Sequence, residues 1–274
     1  MTARTHSRSP ARAIRSRIGG IVRGVRWRRF ERRLAAPKLL RTFAEHNPDA
    51  FFIEIGANDG DQHDHLRRFI LSGSWSGVMV EPVPYIFERL RRNYAGLDRI
   101  RFENAAIGER DGRAPFYYLV DAPPEERAQL PDWYDGTGSF SKDVVLGHAR
   151  HMPDIADRLV CEEVPALTFD SLCRKHGVGR LDLIVIDTEG YDYELIRHID
   201  LDRWRPQLLV YEHYHLAAGD RRACRELVRD HGFLILEEGF DTFCLGDRAD
   251  ARLKDFFTRL RPAVAGVSVH DELP

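Results

Sequence analysis

Phe51-Phe52-Ile53-Glu54-Ile55-Gly56-Ala57-Asn58-Asp59-Gly60 is the stretch from which the fold is read. A short apolar strand carrying one carboxylate breaks into a glycine-rich turn. A parallel α/β sheet does this where its first strand ends beside a nucleotide-like ligand. Glu54-x-Gly56-x-x-x-Gly60 lacks the G-x-G-x-x-G spacing that seats a dinucleotide pyrophosphate on a helix N-terminus. It also lacks the G-x-x-x-x-G-K-[ST] of a phosphate-cradling loop. Asn58 stands where a middle glycine would otherwise sit. Asparagine tolerates positive φ better than most residues, so the sharp turn is retained.

Outward from this turn, short strands and helices alternate, which predicts an α/β, doubly wound, mostly parallel sheet. Helices are expected over 37–46, 65–71, 85–94, 168–175, 191–199 and 221–231, and strands over 51–55, 78–81, 100–103, 183–186 and 208–211. Leu183-Ile184-Val185-Ile186 is wholly apolar, as the centre of a parallel sheet requires. Residues 233–236 and 242–245 flank Glu237-Glu238-Gly239-Phe240-Asp241 and predict a C-terminal antiparallel hairpin. Residues 121–158, with Pro123-Pro124, Pro131, Asp135-Gly136 and Pro153, break the rhythm as an inserted loop or cap.

The 274 residues suit one domain, 37–274, behind a basic arm, 1–36. Residues 1–33 hold eleven arginines and one acid, whereas the remainder holds 30 basic and 42 acidic residues. Ile14, Ile18, Ile21, Val22 and Val25 recur at helical spacing among the arginines, with Trp27 and Phe30 beyond them. Three readings stand: an inert extension, a targeting segment, or a helix in peripheral contact with an anionic membrane. The acidic body has no basic and aromatic clusters for nucleic acid. Cys161, Cys173, Cys224 and Cys244 are scattered, without a C-x-x-C pair, which fits core thiols in a reducing cytoplasm.

Glu81 ends the second strand, where a carboxylate accepts both hydroxyls of a ribose. Asn104 ends the third strand, where it faces a base. An adenosine ligand without a phosphate cradle fits S-adenosylmethionine, and Glu54 and Asp187 would make the pocket of its sulfonium negative. At these residues the chain resembles the FkbM-type methyltransferases, a branch of the class I S-adenosylmethionine-dependent enzymes. The resemblance runs over about 50–245. It is carried by residues 52–60, Val80-Glu81-Pro82-Val83-Pro84, Asn104-Ala105-Ala106-Ile107-Gly108 and Leu167-Thr168-Phe169-Asp170-Ser171-Leu172. Residues 183–194, which contain Ile186-Asp187-Thr188-Glu189-Gly190, and residues 208–213 complete it. Val185 and Thr188 depart from the family's common lysine and valine, and Asp59 from a frequent apolar residue. The resemblance implies a Rossmann-like, seven-stranded sheet with a reversed final strand. It also implies O-methylation of a sugar, glycan or secondary-metabolite hydroxyl.

The cofactor set expected on these grounds is Glu54, Gly56, Asn58, Gly60, Glu81, Pro82, Asn104, Ala105 and Asp187. His213 is the first choice as general base, since imidazole titrates near neutral pH; a solvent-exposed loop histidine is the plain alternative. Asp187 orients the base or the sulfonium, and Glu189 either assists or caps the helix that follows. Trp133, Tyr134, Ser139, Glu212 and His215 are expected to meet the acceptor. Asp187, Glu189, Glu212, His213 and His215 could together hold a divalent metal, but their spacing is not diagnostic, so no metal ligand is assigned. His63 and His65 form a second H-x-H, expected on the surface or at the cofactor's carboxylate end rather than on a metal. Two other functions compete: an inactive cofactor-binding module docked on membrane-bound glycan-assembly machinery, and an NAD-linked oxidoreductase, which the missing G-x-G-x-x-G opposes.

Overall fold

A computed structural model describes residues 36–62 and 64–264, with side chains to 260. Residues 1–35 of the basic arm and His63 lie outside the described residues.

Seven strands form the main sheet: β1 Phe51–Ile55, β2 Ser76–Val80, β3 Ile100–Glu103, β8 Leu183–Ile186, β9 Leu208–Glu212, β10 Leu234–Glu238 and β11 Asp241–Leu245. Their order is β10-β11-β9-β8-β1-β2-β3. β11 runs antiparallel to both neighbours, and the remaining pairs are parallel. The hairpin turn is Gly239-Phe240, with Gly239 at φ 66°.

Both faces are covered, because alternate strand residues feed two cores. Phe52 and Met79 face one, with Leu39, Phe43, Ile70, Leu90 and Phe257 from four helices. Ile53, Val78, Ile184 and Leu209 face the other, with Phe169, Leu195, Trp204 and Val228. Helix boundaries fall within about three residues of expectation. Thr168 caps Phe169–Lys175 by accepting from the Ser171 amide. The helix Ala251–Val264, for which the sequence reading made no provision, closes the first face.

Trp75 anchors that face. Its indole N–H donates to the Asn47 carbonyl at 2.8 Å, and its ring stacks on Phe69 and meets Phe43 edge-on. Gly77 lies opposite Phe52 in the β1–β2 register, where an added Cβ would meet the Phe52 carbonyl oxygen at 2.4 Å. Gly77→Ala is expected to destabilise by about 1–3 kcal/mol, the range for overpacking a close-packed interior. Urea unfolding would read this as a lower midpoint at unchanged slope; an unchanged midpoint would refute it.

The insertion, 121–158, is a cap of short helices and turns, and most strands of the sheet that carries it flank it. β4 Ala106–Ile107, β5 Gly112–Leu119, β6 Gly138–Ser139 and β7 Leu159–Leu167 form a second sheet, ordered β4-β7-β5-β6. β5 and β7 pair antiparallel from Gly112↔Ala166 to Leu119↔Leu159 and carry the cap between them. Pro115 and Pro165, and the exposed charges around them, hide both strands from a reading by alternation. The cap has its own core of Leu119, Tyr134, Val145, Met152 and Ile155. Arg89, on the helix Pro84–Asn93, ties it to the body by pairing with Asp135 at 2.9 Å and Asp121 at 2.5 Å.

Candidate functional site

Strand connectivity reverses between β1 and β8, and α/β sheets bind ligands beyond the carboxyl ends of the strands at such a point. The glycine turn lies there. Gly56 takes φ 82°, and a Cβ on it would sit 1.7 Å from the Asp187 carbonyl oxygen. Only glycine admits that approach of two backbones. Asn58 takes φ 48° and donates its amide N–H to Glu81 Oε2 at 3.0 Å. The Val83 amide donates to Glu81 Oε1 at 2.8 Å. Both carboxylate oxygens of Glu81 are thus held by backbone.

A cavity of about 650 Å³, part of it open to solvent, is floored by Gly56, Asn58, Glu81, Pro82, Ala105 and Asp187. The cap roofs it with Phe116, Asp135, Gly136 and Phe140, and Glu189 stands at its side. The remaining expected cofactor residues lie behind the walls. Gly60, at φ 66°, lets the turn pass Tyr94. Asn104 does not face the cavity as a base contact; its amide donates to the Glu81 and Pro82 carbonyls at 2.8 and 3.1 Å and shapes that turn. Glu54 is buried, and its Oε2 accepts no hydrogen bond among the described residues.

The electrostatics are those of a site prepared for positive charge. Burial pushes the Glu54 carboxyl well up, and Asp64 beside it adds to the rise. Burial likewise raises Asp187, with Glu212, Glu189, Asp192 and Asp241 contributing. Burial carries Glu81 up to about 7, against the two backbone N–H groups that favour its ionised form. The sign follows from linkage. A carboxyl raised in the fold binds more protons folded than unfolded, so the stability it lends is lost as pH rises from about 4.5 through 7. Glu81→Gln is therefore expected to gain stability relative to the parent between pH 5 and 8, by at most about 3 kcal/mol. Melting of both proteins across that range measures it; a constant difference would exclude a raised Glu81.

A second group of side chains meets beside this cavity. His215 Nδ1 lies 2.8 Å from Glu212 Oε2 and 3.0 Å from Glu189 Oε2. Burial lowers the His215 pKa, but hydrogen bonds and charge from Glu189 and Glu212 outweigh it and carry it up to about 11. Glu189 takes φ 51° and Gly190 φ 93°, a left-handed pair that turns the carboxylate toward His215. Left-handed backbone at a non-glycine residue is strained and is held by its surroundings. Buried Asp192 supplies that support: it accepts from the Thr188 hydroxyl at 2.8 Å and from the Glu212 amide at 3.2 Å. From the cap, His148 packs on Trp133 with ring centroids 4.7 Å apart and meets His215 at 5.7 Å.

Several expected residues fall elsewhere. His213, the first choice as base, is 2% exposed and does not line the cavity. Its Nδ1 shares a hydrogen bond with Thr242 Oγ1 at 2.8 Å and its amide donates to Phe240, which joins β9 to the hairpin. Its side chain is held against β11, whereas His215, two residues on, meets Glu189 and Glu212. Tyr134 is packed in the cap core and donates its hydroxyl to the Val120 carbonyl, so it does not face an acceptor. Ser139 is buried and its hydroxyl donates to the Glu189 carbonyl at 3.3 Å, tying cap to turn. Trp133, Glu212 and His215 are brought together. His148 is a site residue that the sequence reading missed, since its local sequence carries no motif.

The sheet order with its single reversed strand, and the glycine turn facing an acid after the second strand, define a Rossmann-like fold of the class I methyltransferase type. A family profile described as the methyltransferase FkbM domain matches residues 54–237. The chain belongs to this FkbM methyltransferase family. Over 154 residues it is 29% identical to the 2-O-methyltransferase NoeI of Sinorhizobium fredii, a match covering 54% of this chain and 57% of that protein. The chain thus spans little more than half the length of that relative. It is 24% identical to the methyltransferase sdnD of Sordaria araneosa over 198 residues, covering 69% of this chain and 75% of that one. Among solved structures it is similar to the methyltransferase FkbM from Methylobacillus flagellatus KT, at 13% identity and a TM-score of 0.45, over 72% of this chain and 44% of that one.

Proposed function

We propose that this protein is an S-adenosylmethionine-dependent methyltransferase that methylates a hydroxyl oxygen, on a sugar or glycan in particular. The observation that carries the reading is the switch-point cavity in which Glu81 is fixed by the Asn58 and Val83 amides opposite the Gly56–Asp187 contact. Family membership supports methyl transfer. The relative named as a 2-O-methyltransferase supports oxygen as the acceptor atom.

The residues present fit the cofactor. A fixed carboxylate at the end of the second strand accepts ribose hydroxyls. Asp187, on the cavity floor, is suited to the positive charge of its sulfonium, and the buried Glu54 behind the wall adds to the negative field there. When bound, S-adenosylmethionine supplies an electrophilic methyl group. This chain's part is to hold an acceptor oxygen in line with it, and positioning supplies much of such a rate gain. Glu189, which reaches the cavity from the imidazole cluster, is the group placed to receive the acceptor hydroxyl and its proton. Trp133 and His148 offer a stacking face for a sugar ring at the cap.

Titration calorimetry with S-adenosylmethionine, followed by incubation of labelled cofactor with fractionated glycans and lipids, tests this. Binding plus a labelled hydroxyl is expected. Absence of binding removes the reading. Binding without transfer to any acceptor would favour a cofactor-binding module without catalysis.

A further inference from the structure

Three segments distant in sequence meet on the cap side of the cavity. The turn Gly147–Arg150 brings His148, the turn after β8 brings Glu189, and the loop after β9 brings His215. One ligand atom of each lies within 4.8 Å of the other two. A divalent ion bound to nitrogen and oxygen at about 2.0–2.2 Å holds its donors roughly 3–4 Å apart, so a small contraction closes the set.

We propose that His148, Glu189 and His215 bind a single divalent transition-metal ion, with Glu212 as a further carboxylate on its edge. Two imidazoles and a carboxylate suit zinc, manganese or iron; magnesium and calcium prefer all-oxygen shells. Three features support the site independently of spacing. Glu189 Oε2 is shielded from solvent, and the one donor that faces it, His215 Nδ1 at 3.0 Å, is shared with Glu212 Oε2 at 2.8 Å. Trp133 packs on the His148 ring with centroids 4.7 Å apart and fixes it in the cap. All three residues are only partly buried, which leaves an entry path and open coordination positions.

The consequence, though not the site, rests on the methyltransferase reading. Open toward the cavity beside Glu189, the ion would take the acceptor hydroxyl as a ligand and lower its pKa. Glu109, Glu194 and His198 also gather, but with a single imidazole and with Glu109 and His198 exposed, and they serve as the comparison.

The test uses the full chain stripped of metal by chelation. Calorimetric titration with Zn²⁺ is expected to show one ion per chain, with affinity falling about hundredfold in His148→Gln and in Glu189→Gln and unchanged in His198→Gln. Should either variant fail to fold by circular dichroism, pulsed electron paramagnetic resonance of Mn²⁺ on the parent decides, with coupling to two imidazole nitrogens expected. No ion uptake, fewer than two imidazoles, or affinity that survives both site variants would overturn the proposal. Titration of the stripped protein with S-adenosylmethionine separates the two readings. Cofactor binding without ion uptake leaves the methyltransferase and removes the metal site, and ion uptake without cofactor binding does the reverse.

Discussion

Glu81→Ala is expected to weaken S-adenosylmethionine binding by about two to three orders of magnitude. A carboxylate accepting two ribose hydroxyls makes two charge-assisted hydrogen bonds, each worth roughly 1.5–3 kcal/mol. Losing both costs at least about 3 kcal/mol, and each 1.4 kcal/mol is tenfold in affinity. The substitution also strands two donors, since the Asn58 and Val83 amides both end on this carboxylate. The glycine turn and the Pro82 turn then lose their common strut. Calorimetry gives the affinity, and the thermal shift on adding cofactor gives an independent reading. Binding within threefold of the parent would sink the ribose assignment and the cofactor reading built on it. Glu81→Gln separates the two effects, since its amide keeps one acceptor and the shape of the strut.

Gly56→Ala is expected to be the most damaging single-methyl change in the body of the protein. The added Cβ would lie 1.7 Å from the Asp187 oxygen and 2.8 Å from its carbonyl carbon. Both belong to backbone, so no side chain can rotate away. The contact is pinned by Gly56 and Ala57 donating to Val80, and by Asp187 donating to Ile55. Relief requires β1 and β8 to separate at the point where the cavity opens. Overpacking of 1–3 kcal/mol, plus strain at φ 82°, totals about 3–5 kcal/mol. For a domain of this size that is a fall of roughly 10 °C in melting temperature. Cofactor binding should be lost even where the fold survives. Gly96→Ala is the control: its φ is 85°, but a Cβ there meets nothing within 4 Å. A similar loss in both variants would show that backbone strain, and not the close approach, sets the cost.

Asn58 shows how far local chemistry reaches. Its left-handed conformation was legible because the turn demanded it and asparagine allows it. The amide bond to Glu81 was not legible, because it depends on how β2 lies against β1. The same divide separates His213 from His215. Two residues apart in one loop, they offer the same chemistry to a reader of sequence. The hairpin β10–β11 packs against the end of β9 and captures His213 through Thr242, while the loop swings His215 to Glu189. Tyr134 and Ser139 repeat the point in the cap. Their residue types suit an acceptor site, yet one fills an apolar core and the other ties the roof to the Glu189 turn.

By itself the sequence determined the strands at 51–55, 183–186 and 208–211, the glycine turn, the acid after the second strand and the family to which these belong. All are local patterns of hydrophobicity, backbone conformation and spacing, and a chain carries them before it folds. Only the tertiary structure decided that β5 and β7 build a second sheet, that Glu81 is held by two amides, and that His148, Glu189 and His215 share one corner. Those outcomes depend on contacts between residues tens of positions apart. Side-chain direction in a loop follows from what packs against it, and no local pattern encodes that.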